Sequence, residues 1–377
     1  MTTTDRLPAV QIVEEGMRDG LQIESSDITI DQRVQLLDIL SRSGLRRIVV
    51  GAFVSPRWSP SMAGTDEVIR RMRVAPGVEY TALALNAKGV ELQREFIPPL
   101  TKRSSARTIV HACDVFVQRN TNKDQASEIA AWPGVIERAV RDDVRTATIS
   151  LNAAFGSNWL GDFTHSERMD YLQRQHDLWT AAGIEVDTVW LGDPMGWNTP
   201  GIAREMIAEI RGRWPSVRTF HFHLHNQRGA ALVTAYAAIM ALDDTYAIVF
   251  DTSIGGIGGC PYCGNGQATG MIATEDFVDM LEEMGIETGV DRGILIDAAR
   301  LLSQILGRQV PGKLSQAGPR PRGKALYPMD TPFVETFEEA SHFVSGPSAY
   351  ADQQSPWAAP ITSAARDRVD EALREDR

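Results

Sequence analysis

The sequence predicts an α/β protein built as a (β/α)8 TIM barrel with a C-terminal extension. Short runs rich in β-forming residues alternate eight times with longer helical patterns through residues 1–306. Several runs are almost continuously apolar, such as RIVVGAFV and YAIVF, which is typical of parallel strands that helices cover on both faces. Eight βα units in succession favour the barrel, and a doubly wound open sheet is the alternative arrangement.

The predicted elements follow one another in the order that eight βα units require. The strands are predicted at residues 10–14, 47–54, 80–85, 108–116, 147–151, 188–191, 219–224 and 247–251. The helices are predicted at residues 31–43, 66–73, 86–96, 125–141, 166–182, 202–213, 230–242 and 275–284. The first helix places Val34, Leu37 and Leu40 on one stripe and stops at Gly44. The helix at 166–182 stops at Gly183 in the same way.

The composition changes after about Val310, where the stretch PGKLSQAGPRPRGKALYP is rich in proline, glycine and basic residues. We interpret residues 1–306 as the catalytic barrel and residues 307–377 as an extension that serves as an arm, a lid or an oligomer contact. The end of the chain, RDRVDEALREDR, has the pattern of a charged helix. Four aromatic residues of the extension are candidates for packing on the barrel or on a partner subunit: Tyr327, Phe333, Phe337 and Phe343.

Composition and charge exclude several classes of protein. The 377 residues include 49 Asp and Glu against 38 Lys and Arg, a net charge of −11, which argues against a nucleic-acid-binding surface. The sequence has no run of about 18 apolar residues to span a membrane, and the N-terminus MTTTDRLPAVQ lacks the pattern of a secretory signal. Three cysteines, Cys113, Cys260 and Cys263, are too few for a disulfide framework and indicate a reducing compartment. We therefore expect a cytoplasmic enzyme that acts on a small molecule.

Polar residues gather where the predicted strands end, which is the catalytic side of a TIM barrel. Strand seven carries His221, His223 and His225, and residues two apart on a strand point to the same side. His223 and His225 therefore present two imidazoles to one site, and Asp19 at the end of strand one adds a carboxylate. Two histidines and one carboxylate with open positions suit a divalent ion that activates an oxygenated substrate. The alternative is that the histidines fill barrel layers or bond to loops.

The segment after strand eight contains Asp251, a glycine-rich stretch and the pair Cys260 and Cys263. A single Cys-x-x-Cys is weak evidence for zinc, since a structural zinc site normally needs a second pair of ligands. A redox dithiol would instead open a helix after an early strand. We favour a loop thiol that donates or accepts a proton, with Gly258 and Gly259 giving the loop the freedom to close. A merely flexible connection is the alternative interpretation of these glycines.

Five segments stand out when the motifs are taken together: VEEGMRDGLQIE, FVSPRWSPSM, LGDPMGWNTPG, HLHNQRGAAL, and DTSIGGIGGCPY with the following ATEDFVDML. In this order they resemble the hydroxymethylglutaryl-CoA lyase family, which belongs to a larger group of metal-dependent carbon–carbon lyases and Claisen-type synthases on TIM barrels. The resemblance extends from about residue 10 to residue 302. Several matched motifs in the same order argue against coincidence. Because related enzymes are commonly dimers, the resemblance also implies a homodimer.

The resemblance implies roles for individual residues. Asp19, His223 and His225 match the residues that bind Mg²⁺ or Mn²⁺ in that family. Arg18 matches an arginine that is expected to stabilise an enolate, and Cys260 matches a loop cysteine that is expected to move protons. Asp193 matches a further polar residue of the family's site and is expected to be catalytic. The remaining positions are expected to contact the substrate or to fix loops: Gln22, Ser55, Asn120, Gly258 and Gly259.

Two positions depart from the family's pattern. The family usually supplies a fourth metal ligand from an Asn in a Gly-Asn pair before the ATED segment, whereas this chain has Gly270 and Met271 there. A thioether is a poor ligand for a hard cation, so Asn265 or water is the expected replacement. The family often has a Glu on strand two where this chain has Val49. The resemblance therefore implies a retained site with altered surroundings, and we expect an altered substrate.

Three functions fit these observations. The first is a lyase with Mg²⁺ or Mn²⁺ that cleaves a 3-hydroxyacyl-CoA, or a related 3-hydroxy acid, by a retro-aldol or retro-Claisen step. The second is a Claisen- or aldol-type condensing synthase, since one site stabilises the same transition state in either direction. The third is a non-catalytic descendant, which Val49 and Met271 suggest and the retained catalytic motifs oppose. The sequence favours the lyase.

Overall fold

A curled sheet of parallel strands forms the centre of the structure. The computed structural model describes residues 6–84, 87–102, 106–263, 270–327, 329 and 362–375. Within them the strands are β1 (Ala9–Glu14), β2 (Arg47–Phe53), β3 (Glu79–Ala84), β4 (Arg107–His111), β5 (Thr146–Asn152), β6 (Glu185–Asp193), β7 (Thr219–Leu224) and β8 (Ala247–Thr252).

The order of the strands identifies the fold. It is β3-β2-β1-β8-β7-β6-β5-β4, so the first and the last strand of the chain lie side by side and are parallel. Among the described residues the ladder is continuous from β3 round to β4, and no ladder joins those two strands. Pairing of the first strand with the eighth distinguishes a (β/α)8 barrel from a doubly wound open sheet, and the predicted fold class is confirmed.

Helices follow the strands and cover the outside of the sheet. They are α1 (Ile30–Ser41), α2 (Thr65–Arg71), α3 (Ala87–Arg94), α4 (Asp114–Thr121), α5 (Gln125–Ala130), α6 (Trp132–Arg141), α7 (His165–Ala181), α8 (Pro200–Arg213), α9 (Ala231–Ile239), α10 (Thr274–Glu283), α11 (Arg292–Leu306) and α12 (Leu314–Ala317). Thr29 and Thr164 begin α1 and α7 with reciprocal capping bonds to Gln32 and Glu167. Both helices start one residue before the predicted position.

Apolar side chains hold the strands against the helices. The rings of Phe222 and Phe250 stack 5.6 Å apart on neighbouring strands, and Phe277 of α10 meets Phe250 at 5.1 Å. Because side chains alternate along a strand, the neighbours of Phe222 on β7, His221 and His223, face the inside of the barrel. Packing of the apolar side chains between the sheet and the helices thus makes the alternate, polar side chains point into the barrel.

Three elements differ from the sequence prediction. The strand predicted at 108–116 ends at His111, because the Cys113 sulfur accepts the N–H of Phe116 and begins α4. The single helix predicted at 125–141 is two helices, since Pro133 in the first turn of α6 lacks the N–H that a continuous helix needs. Helix α11 is missed by the prediction, although Gly307 ends it in the usual left-handed conformation.

The chain divides into two compact units, Met1–Gly318 and Pro319–Arg377. Residues 310–318 bond to the barrel: the N–H of Gly312 donates to the carbonyl of Gly255 at 2.9 Å. The N–H of Lys313 donates to the carboxylate of Asp276, also at 2.9 Å. The first unit therefore extends beyond the last helix of the barrel.

The second unit contains α13 (Ala364–Glu375), which confirms the helix predicted for the end of the chain. Of the four aromatic residues that are candidates for packing, Tyr327 is exposed, and Phe333, Phe337 and Phe343 lie outside the described residues. The division at residue 306, and the role of residues 307–377 as an arm, a lid or an oligomer contact, stay predictions. Across the described part of the chain, no helix is long and apolar enough to cross a membrane.

Candidate active site

The three predicted metal ligands meet at the carboxyl end of the strands. Asp19 lies on the π-helical turn Gly16–Gly20 that follows β1, His223 lies on β7, and His225 follows directly after that strand. One ligand atom from each residue lies within 4.8 Å of those of the other two. The distance from His225 Nε2 to Asp19 Oδ1 is 3.8 Å. The structure thus brings together the residues that the sequence pattern selects.

The bonding of these side chains fits a divalent cation. Asp19 Oδ1 and His225 Nδ1 are buried and have no hydrogen-bond partner among the described residues. An unpaired buried polar atom is costly, and a cation held by the carboxylate and the imidazoles would satisfy the Asp19 oxygen. His223 Nδ1 lies 2.9 Å from Asp251 Oδ2, which leaves its Nε2 for a metal. One carboxylate and two imidazoles form a donor set that divalent ions accept.

The surroundings keep Asp19 and His225 in the forms that bind a metal. Burial alone would raise the pKa of Asp19, but Arg18, His225 and His223 together lower it below its ordinary value. Burial lowers the pKa of His225 to about 4, against the opposing effect of Asp19. A carboxylate and a neutral imidazole are therefore present at neutral pH, as metal ligation requires.

Asp251, near the end of β8, links two histidines of β7. Its Oδ1 lies 2.7 Å from His221 Nε2, and its Oδ2 lies 2.9 Å from His223 Nδ1. Burial raises the pKa of Asp251, but the two histidines lower it well below the ordinary value. A carboxylate that holds one ring nitrogen fixes the orientation of the imidazole and directs the other nitrogen to a metal. The sequence marks Asp251 only as the start of the glycine-rich segment, so this bridge comes from the structure alone.

Arg18 lies beside the site, on the same turn as Asp19. Its Nε donates to Glu15 Oε2 at 2.7 Å, and its Nη1 donates to Asp19 Oδ2 at 2.8 Å. Burial lowers the pKa of Arg18, yet the two carboxylates raise it above the ordinary value, so the guanidinium stays charged. Glu15, which the sequence prediction does not select, therefore holds the positively charged guanidinium of Arg18 next to Asp19, a candidate metal ligand.

Asp193, at the end of β6, organises the loop behind His225. Its Oδ1 accepts the N–H of Trp197 at 2.9 Å, and its Oδ2 accepts the backbone and side-chain N–H groups of Asn198 at 2.8 and 2.6 Å. The Asn198 amide also donates to the carbonyl of His225 at 2.7 Å. Burial raises the pKa of Asp193 to about 6. Asn198 lies within the motif LGDPMGWNTPG but is missed by the prediction, because its bond to His225 crosses between two strands.

The glycine-rich segment crosses directly above Asp19. The φ angles of Gly258 and Gly259 are +117° and +144°, a conformation that side chains rarely adopt. A Cβ on Gly258 would lie 3.0 Å from Asp19 Oδ1, and the backbone N–H of Gly259 helps to lower the pKa of that carboxyl group. Cys260 follows immediately and is partly buried. The predicted proton-transfer thiol is therefore adjacent to the residue that contacts a candidate ligand.

Both departures from the family's pattern fall at the barrel mouth or inside the barrel. Met271 is buried and pairs with His225 as an isolated bridge. Val49 belongs to a small apolar cluster with Val13 and Val249. Asn265 lies outside the described residues, so its role as a replacement ligand stays a prediction.

Three further predicted residues lie on the segments that follow strands β1, β2 and β4. Gln22 comes after the Asp19 turn, and its backbone carbonyl accepts from Ser61 Oγ at 2.6 Å. Ser55 is exposed two residues after β2, and its carbonyl accepts two backbone N–H groups. Asn120 lies in α4. The bonds of Gln22 and Ser55 fix loops through the backbone, and substrate contact by these three side chains stays a prediction.

The fold is a (β/α)8 barrel, and a candidate metal triad lies at the carboxyl ends of its strands, where the enzymes of this fold have their active sites. The fold and the site therefore place the protein among the TIM-barrel enzymes. The sequence model of the HMGL-like family matches residues 9–302. The chain is 34% identical over 311 residues to the 3-hydroxy-3-isohexenylglutaryl-CoA/hydroxymethylglutaryl-CoA lyase of Pseudomonas aeruginosa, over 82% of this chain and 96% of that protein. It is 33% identical over 312 residues to the mitochondrial hydroxymethylglutaryl-CoA lyase of Rattus norvegicus, over 82% and 89% of the two chains.

Solved structures give the same result. An Acinetobacter baumannii HMG-CoA lyase in complex with coenzyme A and 3-methylmalate matches with a TM-score of 0.68 and 28% identity, over 87% of this chain and 99% of that one. The hydroxymethylglutaryl-CoA lyase of Pseudomonas aeruginosa matches with a TM-score of 0.67 and 33% identity, over 84% and 98% of the two chains. The chain belongs to the HMGL-like family and is a carbon–carbon lyase.

Proposed function

We propose that this protein is a divalent-metal-dependent lyase that cleaves a 3-hydroxyacyl-CoA thioester by a retro-aldol or retro-Claisen step. The observation that carries the proposal is the convergence of Asp19, His223 and His225 beside the charged Arg18. A relative that is named for two CoA thioesters, and a similar lyase with coenzyme A bound, support a thioester over a free 3-hydroxy acid.

Asp19, His223 and His225 would hold the metal, and Mg²⁺ or Mn²⁺ is the expected ion. When bound, a divalent cation supplies Lewis acidity, which polarises substrate oxygens and lowers the pKa of a hydroxyl group. The protein contributes the orientation of the ligands. Asp251 fixes the ring of His223, and Arg18 holds the second carboxylate oxygen of Asp19.

Cleavage breaks the C2–C3 bond as the 3-hydroxyl releases its proton to solvent and its oxygen becomes a carbonyl oxygen. The electron pair of that bond stays on the thioester fragment as an enolate. Arg18 offsets the charge on the enolate oxygen, because its guanidinium stays charged beside Glu15 and Asp19. Cys260 then transfers its thiol proton to C2, and the resulting thiolate regains a proton from solvent.

The substrate differs from hydroxymethylglutaryl-CoA in the part that faces β2. Val49 lies in an apolar cluster with Val13 and Val249, at a position where the resemblance leads us to expect a carboxylate. An apolar wall leaves a polar substrate group without a partner and favours a hydrocarbon substituent. The Pseudomonas relative is named for an isohexenyl substrate as well, so a long 3-substituent is a suitable first probe.

The condensing direction uses the same residues, and product analysis separates it from cleavage. A cytoplasmic location and a homodimer also stay predictions. They are tested by fractionation of cells and by the mass of the protein in solution.

Product analysis tests the lyase. Purified protein is assayed with Mg²⁺, with Mn²⁺ or with a chelator on hydroxymethylglutaryl-CoA, its 3-isohexenyl analogue and the two free acids. We expect metal-dependent release of acetyl-CoA from at least one thioester, with the longer substituent preferred. Cleavage that is independent of metal, or confined to the free acids, would contradict the proposal. Formation of a thioester from acetyl-CoA and a 3-oxo acid, without cleavage, would assign the condensing direction.

A further inference from the structure

The turn at residues 260–263 docks on loops that follow other strands. The N–H of Cys263 donates to the carbonyl of Cys260 at 3.2 Å and closes the turn. The side chain of Cys263 is buried, and its thiol donates to the carbonyl of Pro194, after β6, at 3.0 Å. The segment that carries Cys260 is therefore anchored on the loop that follows β6.

Two side chains bind the backbone of the same turn. Asn158, after β5, donates from Nδ2 to the carbonyl of Cys263 at 2.9 Å. Its Oδ1 accepts the indole N–H of Trp197 at 2.8 Å, which fixes the orientation of the amide. Arg119 of α4 donates from Nε to the carbonyl of Tyr262 at 3.1 Å. Segments that follow three successive strands, β4, β5 and β6, thus contact Tyr262 and Cys263 of the turn.

The loop has a second anchor at its other end. Gly258 approaches Asp19 so closely that a Cβ on it would lie 3.0 Å from Asp19 Oδ1, and the backbone N–H of Gly259 helps to lower the pKa of Asp19. Cys260 lies between this anchor and the docked turn. Since both ends are held, the position of the thiol over the mouth depends on the bonds to the turn as well as on the contact with Asp19.

We propose that Arg119 and Asn158, together with the thiol of Cys263 in the turn itself, hold Cys260 over the barrel mouth, and that the three are positioning residues of the lyase reaction. The inference rests on the function proposed for Cys260. A hydrogen bond with Cys260 and burial raise the pKa of Cys263, so that its sulfur stays a neutral thiol and a donor to Pro194. None of the three needs to touch the substrate to act.

The test compares Arg119→Met and Asn158→Asp with the wild type, each as the full chain without added metal. Each substitution removes one donor to the loop backbone, and Asn158→Asp keeps the oxygen that accepts from Trp197. Gln118→Met is the matched control, because Gln118 is an exposed neighbour of Arg119 on α4. Alkylation of Cys260 by iodoacetamide, followed by peptide mass spectrometry, should be roughly two- to tenfold faster in both docking variants, the range expected for one lost hydrogen bond. The control should match the wild type.

Turnover of the metal-loaded enzyme gives a second measurement. The docking variants should lower kcat by a similar factor and leave KM nearly unchanged, and Cys263→Ala should lower kcat more than Cys263→Ser, which keeps a donor. Equal alkylation rates in all variants would overturn the inference, as would a lower melting temperature with unchanged alkylation. If Cys260→Ser has full turnover, the positioning role falls together with the proposed role of Cys260. The alkylation rates would still report whether the loop is docked.

Discussion

Two buried histidines, His111 and His225, lie at the carboxyl ends of strands in this barrel, and their ring nitrogens differ in hydrogen bonding. His111, at the end of β4, has both ring nitrogens bonded, Nδ1 to Glu128 Oε1 at 2.8 Å and Nε2 to Asn152 Nδ2 at 3.1 Å. Its backbone N–H and carbonyl are bonded as well, to Glu128 and to Gln125. His225 is 1% exposed, and its Nδ1 has no hydrogen-bond partner among the described residues.

The difference separates a structural histidine from a functional one. Buried polar groups are normally paired, and His111 follows this rule while it ties α5 to the end of β4. His225 differs, because its Nε2 lies 3.8 Å from Asp19 Oδ1, too far for a hydrogen bond, and a cation held by both atoms would complete the bonding there. Position at a strand end, which both histidines share, therefore does not identify a metal ligand. The state of the ring nitrogens does.

The largest effect is expected for His225→Ala, which should lose its metal and its turnover while it stays folded. His111→Ala should keep the metal and lose roughly 3 kcal/mol of stability, because it leaves buried partners on Glu128 and Asn152 unpaired. Metal content, turnover and the free energy of unfolding are measured for both variants. Full metal occupancy in His225→Ala, or loss of metal in His111→Ala, would break the distinction.

The sequence predicts the fold well because an apolar run and a helical stripe are local properties. It also selects Asp19, His223 and His225, since a spacing of two on a strand fixes a shared face. It does not predict the bonding of His111, which falls inside the strand predicted at 108–116. Glu128 is 17 residues away and meets His111 only because α5 packs at the end of β4.

The orientation of the site residues is also beyond the sequence. Glu15 and Asp251 are visible in the motifs, but their bonds to Arg18 and to His223 depend on how turns and strands pack. The fourth ligand illustrates another limit, because the proposed Asn265 lies outside the described residues. Residue types and spacing thus predict which groups assemble, and the tertiary structure decides which atoms face one another.

Arg18→Met sharpens the comparison by removing a group inside the site whose Nε and Nη1 are already bonded to carboxylates. If Arg18 stabilises the enolate, turnover should fall by roughly 10²–10³-fold, the usual scale for one oxyanion donor, with metal content nearly intact. If it only ties Glu15 to Asp19, the melting temperature should fall with little effect on rate. Turnover, metal content and melting temperature are measured on this variant. Near-normal turnover in a folded, metal-loaded protein would contradict the mechanism.

The two cysteines of the loop repeat the comparison on a smaller scale. Cys263 is buried and bonded to Pro194, whereas Cys260 is partly exposed. Cys260→Ser should reduce turnover by about 10²-fold, the lower end of the range for a general acid. Cys263→Ser keeps a donor and should cost less. Equal losses in steady-state assays, or tightly bound zinc at the pair, would remove the proton-transfer role of Cys260.

Glu275 shows where the rule about unpaired atoms needs a second criterion. Its Oε1 is buried without a hydrogen-bond partner among the described residues, as Asp19 Oδ1 is, while its Oε2 accepts the N–H of Gly255 at 2.9 Å. Burial raises the pKa of Glu275 to about 8, whereas the pKa of Asp19 is lowered. A proton therefore completes the carboxyl of Glu275 at neutral pH. The direction of the pKa shift distinguishes this group from a carboxylate that fits a metal.

The smallest effect is expected for Glu275→Gln, in the pH dependence of stability. The carboxyl titrates near 4.5 in the unfolded chain and near 8 in the folded protein, so the folded state binds more protons between these values. Its contribution to stability is therefore complete below the lower value and is lost as pH rises through the higher one. Because Gln does not titrate, the melting temperature should fall less in the variant than in the wild type between about pH 5.5 and about pH 8.5.

Glu14, whose pKa is also raised by burial, to about 7, titrates in both proteins, so its effect largely cancels from the difference between them. The exposed Glu287→Gln serves as the control, and metal content should be unchanged in all three proteins. If the melting temperatures of Glu275→Gln and the wild type depend on pH in the same way across this range, Glu275 is ionised in the folded protein. The direction of the pKa shift would then fail to distinguish Glu275 from Asp19.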